Sequence, residues 1–288
     1  MIIVNLKGGL GNQMFQYALG RTLALKNNDT LKLEIEGLDR ANQIGDIYRA
    51  FGLGNFNIEK NIATASEVQS LKYPYGTISK VLRWFNFKIL RKTHIVFEPS
   101  VLNWTGNIFI DGYWQSPRYF DDIRTNLLSE FTLVNPLSPA GATFASQMQS
   151  TVSVSIHVRR GDYIKNPRVL AEFGVCSLDY YAAAIAHIKS IHPNPTFFIF
   201  SDDITWVKEN LSVGDSAVFV SDATITDYQE LILMSKCEHN IIANSSFSWW
   251  GAWLNQNPNK IVVTPTPWFE SAAWDKNLIA ETWIQLPK

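Results

Sequence analysis

The sequence predicts an α/β protein made of two Rossmann-like halves with a cleft between them. Short apolar runs alternate with segments of helical periodicity through the second half of the chain, which is the pattern of a parallel, doubly wound sheet. The first half opens with a strand, a glycine-rich turn and a helix, and follows the same pattern less regularly. The chain has 288 residues, enough for two domains of roughly 150 residues each.

In the first half, the run MIIVNL predicts the opening strand, and KGGLGNQ leads from it into a helix. Apolar residues at helical spacing form one face of that helix: Phe15, Ala18, Leu19 and Leu23. Further strands and a helix are expected at 31–35, near 94–98, near 107–111 and near 119–130. The stretch VNPLSPAGA at 134–142 has the composition of a linker. We therefore expect domains at 1–138 and 139–288.

The second half begins with the clearest strand. In TVSVSIHV, residues 151–158, valine and isoleucine alternate with serine and histidine. Further strands are expected at 196–200, 216–220, 240–243 and 260–264. The helices between them are expected at 177–191, with Ser177 as the N-cap, and at 203–211, 226–239 and 247–255. The tryptophans of the last helix are expected to pack in the core: Trp249, Trp250 and Trp253.

Composition and charge exclude several classes of protein. A formal net charge of −1 gives no general attraction to nucleic acid, so no nucleic-acid partner is expected. Two cysteines and five scattered histidines indicate neither a disulfide framework nor a metal cluster. The amino terminus turns polar after six residues, unlike a signal peptide or a membrane span. We expect a cytoplasmic protein.

Aromatic residues are abundant, with 10 Trp, 10 Tyr and 17 Phe. They fill cores, and their faces also stack on sugar rings. The segment KVLRWFNFKILRK at 80–92 combines aromatic and basic residues at helical spacing. It fits a peripheral contact with the inner membrane surface, or equally a half-buried helix with a solvated basic face.

Ligands of open parallel sheets bind at the carboxyl ends of the strands, and every expected strand end in the second half carries polar or small residues. These ends are HVRRGDY (157–163), SDD (201–203), SDA (221–223), NSSFSWW (244–250) and TPTPW (264–268). The coincidence predicts one binding site along this edge.

Arg159 and Arg160 are the strongest candidates for ligand contact, because planar guanidinium groups match phosphate oxygens bidentately. Gly161 permits a tight turn and a close backbone approach to a ligand. The NSSFS stretch places hydroxyl and N–H groups at a helix start, where an anion binds well. The interpretation that we prefer is a diphosphate site without a metal.

Acidic residues near the arginines leave alternatives open. The arginines could pair with Asp162, Asp202 or Asp203 and only rigidify the loops. The SDD stretch could hold a metal, although it is also a good N-cap, and beside arginines a ribose contact by Asp202 is the more economical role. Glu230 could accept hydrogen bonds from a guanine edge, or it could be an ordinary exposed helix glutamate.

The amino-terminal turn KGGLGNQ is glycine-rich, but its spacing is not that of the dinucleotide motif GxGxxG. Its glycines let the backbone approach a ligand, and Asn12 and Gln13 offer amides at a helix start. A simple turn capped by Asn12 is the plainer interpretation, and both can hold together.

Three motifs together, HVRRGDY, GGLGNQMFQYALG and CEHNIIANSSFSWWGAWLN, resemble the bacterial α-1,2-fucosyltransferases of glycosyltransferase family 11. The resemblance runs from the first strand to the last. It implies a GT-B-like fold, GDP-β-L-fucose as the donor, and no cofactor or metal. It also implies inverting transfer to the 2-hydroxyl of a terminal β-galactose on an oligosaccharide or a lipid-linked glycan.

Carried over by position, the resemblance implies that Arg159 and Arg160 hold the donor diphosphate and that His157 lies beside the nucleotide. It also implies that Glu230 binds the guanine base. It implies further donor contacts at Asn12, Gln13, Asn244, Ser245, Ser246 and Phe247. The first domain would then serve the acceptor and the second would bind GDP-fucose.

A general base for the galactose hydroxyl is expected, and the residues do not identify it. Asp162 is a candidate by proximity in sequence, with the alternative that it orients an arginine. Fixed guanidinium groups would stabilise the charge of the departing phosphate. Two other hypotheses stay open: a GDP-sugar transferase with a different acceptor or linkage, and a non-catalytic glycan-binding protein.

Overall fold

The computed structural model describes residues 1–40, 50–74, 76–81, 97–214, 216–222, 224–270 and 277–288. The chain divides into two compact units, Met1–Val134 and Asn135–Lys288. Each unit contains its own parallel sheet, so the fold class is α/β and GT-B-like, with two Rossmann-like units. The boundary between them follows Val134, whereas the sequence places it after residue 138.

The first unit is built on a three-stranded parallel sheet in the order β2–β1–β3. Its strands are β1 (Ile2–Asn5), β2 (Leu31–Glu34) and β3 (Ile108–Ile110). Its helices are α1 (Leu10–Asn27), α2 (Glu36–Arg40), α3 (Ala65–Lys72) and α4 (Arg124–Glu130). Short 3-10 helices lie at Gly52–Asn55, Pro99–Asn103, Pro117–Tyr119 and Asp121–Ile123.

Helix α1 packs closely on this sheet. A Cβ atom at Gly20 would lie 2.3 Å from Cγ2 of Val4, so only glycine allows this distance between helix and strand. The apolar face expected for this helix is completely buried: Phe15, Ala18, Leu19 and Leu23. Burial of that face against the sheet stabilises the helix in the first unit.

The second unit is built on a six-stranded parallel sheet in the order β6–β5–β4–β7–β8–β9. Its strands are β4 (Ser153–Val158), β5 (Thr196–Ser201), β6 (Ala217–Phe219), β7 (His239–Ile241), β8 (Val262–Thr266) and β9 (Ile284–Pro287). Its helices are α5 (Pro139–Gln149), α6 (Gly161–Lys165), α7 (Pro167–Phe173), α8 (Leu178–Ile191), α9 (Ile204–Asn210), α10 (Asp227–Lys236) and α11 (Ser246–Leu254).

Most expected elements of the second unit are present. Ser177 caps α8, its hydroxyl accepting from the N–H of Tyr180 at 3.2 Å, as predicted. The three tryptophans of α11 are buried, also as predicted, and they contact one another edge-on or stacked. One core cluster of this unit packs α8 and α9 against the sheet.

Three expectations differ from the structure. The stretch expected as a linker contains the start of α5, because Ser138 caps the helix and Pro139 occupies its first position. The helix expected near 119–130 begins at Arg124, after two 3-10 turns. Strand β9 has no counterpart among the expected strands. The basic segment at 80–92 and the strand expected near 94–98 lie largely outside the described residues.

Within the described ranges, no single helix is long and apolar enough to cross a membrane, although the bent pair of α7 and α8 meets the length and hydropathy criteria together.

Candidate functional site

The carboxyl edge of the six-stranded sheet holds most of the residues selected from the sequence. His157 lies at the end of β4, and Asp202 and Asp203 directly follow β5. Glu230 lies in the first turn of α10. Ser245 and Ser246 begin α11, after β7. Since the strands are parallel, these positions share one edge of the sheet.

Asp202 holds the arginine loop. Nη1 of Arg159 lies 2.9 Å from Oδ2 of Asp202, and the backbone N–H of Arg160 donates to Oδ1 at 2.9 Å. Both carboxylate oxygens are engaged within the chain. Asp202 therefore positions the arginine loop, and the ribose contact that the sequence suggests for it stays a prediction.

Gly161 makes room for that carboxylate. A Cβ atom at Gly161 would lie 2.4 Å from Oδ2 of Asp202, too close for any other residue without displacing the aspartate. Asp202 therefore occupies the space beside the Gly161 backbone in which the sequence suggests a ligand. Gly161 also begins helix α6, where the sequence suggests only a tight turn.

Arg160 stacks on an indole. Its Cζ lies 3.4 Å from the ring centroid of Trp206, a cation–π geometry, and its Nε lies 3.5 Å from Oδ2 of Asp203. Asp203 also caps α9, its Oδ1 accepting from the N–H of Trp206 at 3.4 Å, so the N-cap interpretation of SDD is confirmed.

The arginines therefore pair with Asp202 and Asp203, as the alternative interpretation of the sequence expected. Both side chains are still partly exposed to solvent. The side chains of Arg159 and Arg160 are each 20% exposed. Asp202 contacts the guanidinium group of Arg159, and the ring of Trp206 stacks on that of Arg160. Two fixed arginines with partly exposed side chains can bind a polyvalent anion.

His157 is buried beside the start of α11. It is 3% exposed, its ring lies 5.5 Å from that of Phe247, and Tyr181 fixes its backbone by donating to its carbonyl oxygen at 3.1 Å. Burial lowers the pKa of His157 to about 4, with Asp202 opposing the shift and Arg159 adding to it, so the imidazole is neutral near pH 7. Its Nδ1 has no hydrogen-bond partner among the residues that the structure describes.

The start of α11 is open to a ligand in one respect. Its N-cap residue, Ser245, makes no side-chain hydrogen bond to the first turn, so the usual capping interaction does not occupy the first N–H groups. Ser246 and Phe247 are half-buried in that turn. Positive helix-dipole potential and backbone donors favour an anion here.

Asn244 has a structural role. Its Nδ2 donates to the carbonyl oxygens of Phe173 at 2.7 Å and Trp268 at 3.2 Å, and its Oδ1 lies 3.6 Å from Sγ of Cys176. The side chain is 1% exposed. It ties the loop after β7 to the end of α7 and to the loop after β8. The donor contact expected of Asn244 stays a prediction.

Glu230 is half-buried at the start of α10. Burial raises the pKa of Glu230 to about 7; the hydroxyl of Ser221 opposes this by donating to the carboxylate, whereas Asp227, Asp202 and Asp222 add to it. Ser221 in turn accepts from the N–H of Ser201 at 2.9 Å. The environment contradicts the interpretation as an ordinary exposed helix glutamate.

Asn12 and Gln13 lie in the first unit. Helix α1 is preceded by Gly9 as its N-cap, so the cap expected at Asn12 is wrong. Oδ1 of Asn12 accepts from Nε2 of Gln115 at 2.7 Å. Gln13 is completely buried and clamps the loop at residues 50–52, donating to the carbonyl oxygen of Ala50 at 2.9 Å. Gln13 therefore fixes this loop against helix α1 from the interior of the first unit.

The described part of the chain contains no group of three or more His, Cys, Asp or Glu side chains that could hold a metal ion. The side chain of Asp162 lies outside the described residues. One cluster escaped the sequence prediction: Lys7 and Asp111, which follow β1 and β3, form an ion pair at 2.9 Å. Both residues are identified when the expectation that ligands bind at the carboxyl ends of parallel strands is applied to the first half of the chain.

Comparisons with known proteins identify the family and the fold. The sequence profile of glycosyl transferase family 11 matches residues 1–286. An alpha-1,2-colitosyltransferase of Escherichia coli is 33% identical, over 100% of this chain and 99% of the relative. The galactoside 2-alpha-L-fucosyltransferase Sec1 of Mus musculus is 24% identical, over 88% of this chain and 64% of the relative. The NodZ alpha-1,6-fucosyltransferase, in crystals soaked with GDP-fucose, has the same fold, with a TM-score of 0.52 at 13% identity over 88% of this chain and 91% of that one.

Proposed function

We propose that the chain, which belongs to glycosyl transferase family 11, transfers L-fucose with inversion from GDP-β-L-fucose to the 2-hydroxyl of a terminal β-galactose. The observation that carries this proposal is the edge of the six-stranded sheet. There, two arginines with partly exposed side chains follow β4, and a buried imidazole nitrogen has no partner among the described residues. Such a site suits a nucleoside diphosphate.

The chemistry of the leaving group explains the arginines. When the bond between fucose C1 and the β-phosphate breaks, negative charge grows on the phosphate. Arg159 and Arg160 stabilise that charge without reorganising, because Asp202 and Trp206 already hold them in place. A charge-assisted hydrogen bond contributes about 1.5–3 kcal/mol, and the start of α11 adds backbone donors. The arginines supply this stabilisation, so we propose that transfer requires no metal.

Two other residues recognise the nucleotide in this proposal. The ionised carboxylate of Glu230 accepts hydrogen bonds from the N1–H and 2-amino groups of guanine. Adenine lacks both of these donors. Neutral His157 lies beside the nucleotide in this proposal and packs against Phe247 at the start of α11.

The direct test is an assay of the purified protein with GDP-fucose and galactose-terminated acceptors, followed by linkage analysis of the product. The expected product is an α-1,2-linked fucose, and GDP is expected to raise the melting temperature. Preference for a UDP-sugar would contradict the proposal. If GDP produced no thermal shift and no transfer occurred, a non-catalytic glycan-binding role would replace it.

A second candidate is colitosyl transfer, because a colitosyltransferase is 33% identical along the whole chain. Colitose is the 3-deoxy analogue of L-fucose, so the two donors differ by one hydroxyl. A site that hydrogen-bonds this hydroxyl rejects the deoxy sugar by about 10⁴-fold or more. The ratio of kcat/KM for the two GDP-linked sugars decides between them.

A further inference from the structure

Tyr163 contacts two elements of the second unit that suit an anion, the arginine loop after β4 and the segment that leads into α11. The centroid of its ring lies 5.4 Å from Cζ of Arg159, within the range of a cation–π contact. Its hydroxyl group donates to the backbone carbonyl oxygen of Asn244 at 3.1 Å, and the next residue, Ser245, is the N-cap of α11. One half-buried side chain therefore joins both elements.

The register of the six-stranded sheet explains how one side chain can contact both elements. Strands β4 and β7 are parallel, and Ile156 pairs with Ile241. Arg159 follows Ile156 by three residues, and Asn244 follows Ile241 by three residues. The two loops therefore leave neighbouring strands at the same level. Helix α6 comes directly after the arginines, so a side chain of this helix can reach both loops.

Aromatic and backbone contacts fix the position of the Tyr163 ring. Its centroid lies 5.3 Å from that of Phe173, at an interplanar angle of 41°, and the ring of Phe173 lies 5.2 Å from that of Phe269. The carbonyl oxygen of Phe173 accepts from Nδ2 of Asn244 at 2.7 Å. Tyr163, Phe173 and Asn244 therefore form a closed set of contacts, which limits the movement of the tyrosine relative to both loops.

We propose that Tyr163 is a positioning residue for the diphosphate of the bound nucleotide, an inference that rests on the proposed function. The ring supports the guanidinium group of Arg159, and the hydroxyl group holds the segment that leads into α11. The guanidinium group and the backbone donors of the helix start then keep a fixed spacing. A fixed spacing allows both to bind the phosphate groups together without rearrangement. The second phosphate of a nucleoside diphosphate is the group that depends on Tyr163.

The affinities for GDP and GMP separate this role from a general loss of stability, because the two ligands differ only in the second phosphate. Tyr163→Leu removes both contacts. We expect its GDP affinity to fall about tenfold, the value of one charge-assisted contact, and its GMP affinity to stay within about twofold of the wild type. Tyr163→Phe keeps the ring and loses the hydroxyl group, so its GDP affinity is expected to fall only about threefold. Calorimetric titration of the full chain measures each affinity.

Tyr180→Phe is the matched control. The hydroxyl group of Tyr180 donates to the carbonyl oxygen of Ile242 at 2.6 Å and to that of Val263 at 3.2 Å, and Ile242 directly follows β7. The control therefore loses a tyrosine–carbonyl hydrogen bond from the same unit. Its melting temperature is expected to fall, while the ratio of its affinities for GDP and GMP stays within about twofold of the wild type.

A double variant tests whether Tyr163 acts through Arg159. Arg159→Ala by itself lowers the ratio of GDP to GMP affinity, because it removes the group that the tyrosine ring supports. The further loss on adding Tyr163→Leu is expected to be smaller than the loss that Tyr163→Leu causes in the wild type, since residues in contact are not additive. Two losses that simply multiply would show that the tyrosine acts independently of the arginine.

The proposal is overturned if Tyr163→Leu keeps the wild-type affinity ratio, if it weakens GDP and GMP equally, if Tyr180→Phe changes the ratio as much, or if the losses in the double variant multiply. If Tyr163→Leu does not fold, an unchanged ratio in Tyr163→Phe overturns it. A wild-type protein that prefers GDP to GMP but transfers no fucose contradicts the proposed function alone. If the wild type binds another base, the diphosphate and monophosphate of that base replace GDP and GMP, and a wild type without preference for any diphosphate overturns the role of Tyr163.

Discussion

In the second unit, two arginines that follow β4 face two aspartates that follow β5. In the first unit, a single aspartate that follows β3 faces a lysine and an asparagine at the end of β1. Both groups lie at the carboxyl edge of a parallel sheet. Guanidinium forks and a helix start suit a ligand with several negative oxygens, whereas a carboxylate beside an amide and a tyrosine suits neutral hydroxyl groups. The same architecture therefore presents different chemical groups at the carboxyl edges of the two sheets.

The largest expected effect comes from the arginines. Arg160→Ala and Arg159→Ala each lower kcat/KM by about 10²–10³-fold or more, because each removes a fixed donor to the phosphate charge. Circular dichroism is expected to show an intact fold. Arg168→Ala, an exposed arginine on α7, is the control and keeps wild-type activity. Retention of most activity in both variants would contradict the diphosphate assignment.

Substitutions at Gly161 and Asp202 test whether GDP binding requires the arginine loop to be held in place. Gly161→Ala pushes the Asp202 carboxylate away, since the new Cβ would lie 2.4 Å from Oδ2. We expect GDP affinity to fall about tenfold, the value of one charge-assisted contact, with a similar loss in Asp202→Asn. Calorimetric titration with GDP measures both. Unchanged affinity in both variants would mean that the arginines bind GDP without this support.

Glu230 gives a pH-dependent effect of intermediate size. Its pKa is raised to about 7, and the ionised form is the one that accepts from guanine. GDP binding by the wild type is therefore expected to strengthen as the pH rises from 6 to 8, by up to about tenfold. In Glu230→Gln this pH dependence disappears, and the preference for GDP over IDP, which lacks the 2-amino group, narrows. A pH-dependent titration identical in wild type and variant would remove Glu230 from the site.

The same carboxyl group has an opposite effect on folding. Its folded-state pKa lies above its value in the unfolded chain, so its contribution to stability is present at low pH and is lost as the pH rises through about 7. Chemical denaturation at pH 6 and pH 8 measures this loss. We expect the fall in the free energy of unfolding in the wild type to be smaller in Glu230→Gln.

The smallest expected effect is that of a chelator. If the arginines alone stabilise the departing phosphate, EDTA leaves the initial rate within about twofold of the untreated enzyme, since no ion supplies transition-state charge. The untreated enzyme with added Mg²⁺ or Mn²⁺ serves as the comparison. A rate abolished by EDTA and restored by a divalent ion would return the SDD residues to a metal-binding role.

Local sequence patterns predict the helices and strands well, but they predict poorly which residues contact one another in the fold. The alternation in 151–158 predicts β4, and Ser177 predicts the start of α8, because strand periodicity and capping depend on a few neighbouring residues. Asn244 is different. Its motif suggests a ligand contact, but its amide bonds to carbonyl groups of residues 173 and 268, which no local pattern relates to it.

The sequence by itself determined the α/β class, the polar residues at the strand ends, and the arginines as the candidate anion-binding groups, because these depend on periodicity and residue chemistry. The tertiary structure decided which charges meet. It placed Asp202 against Gly161 and the arginines, raised the pKa of Glu230 by burial, and joined Lys7 to Asp111 across adjacent strands. Those encounters depend on strand order and register, and residues more than 100 positions apart become neighbours only when β1 pairs with β3.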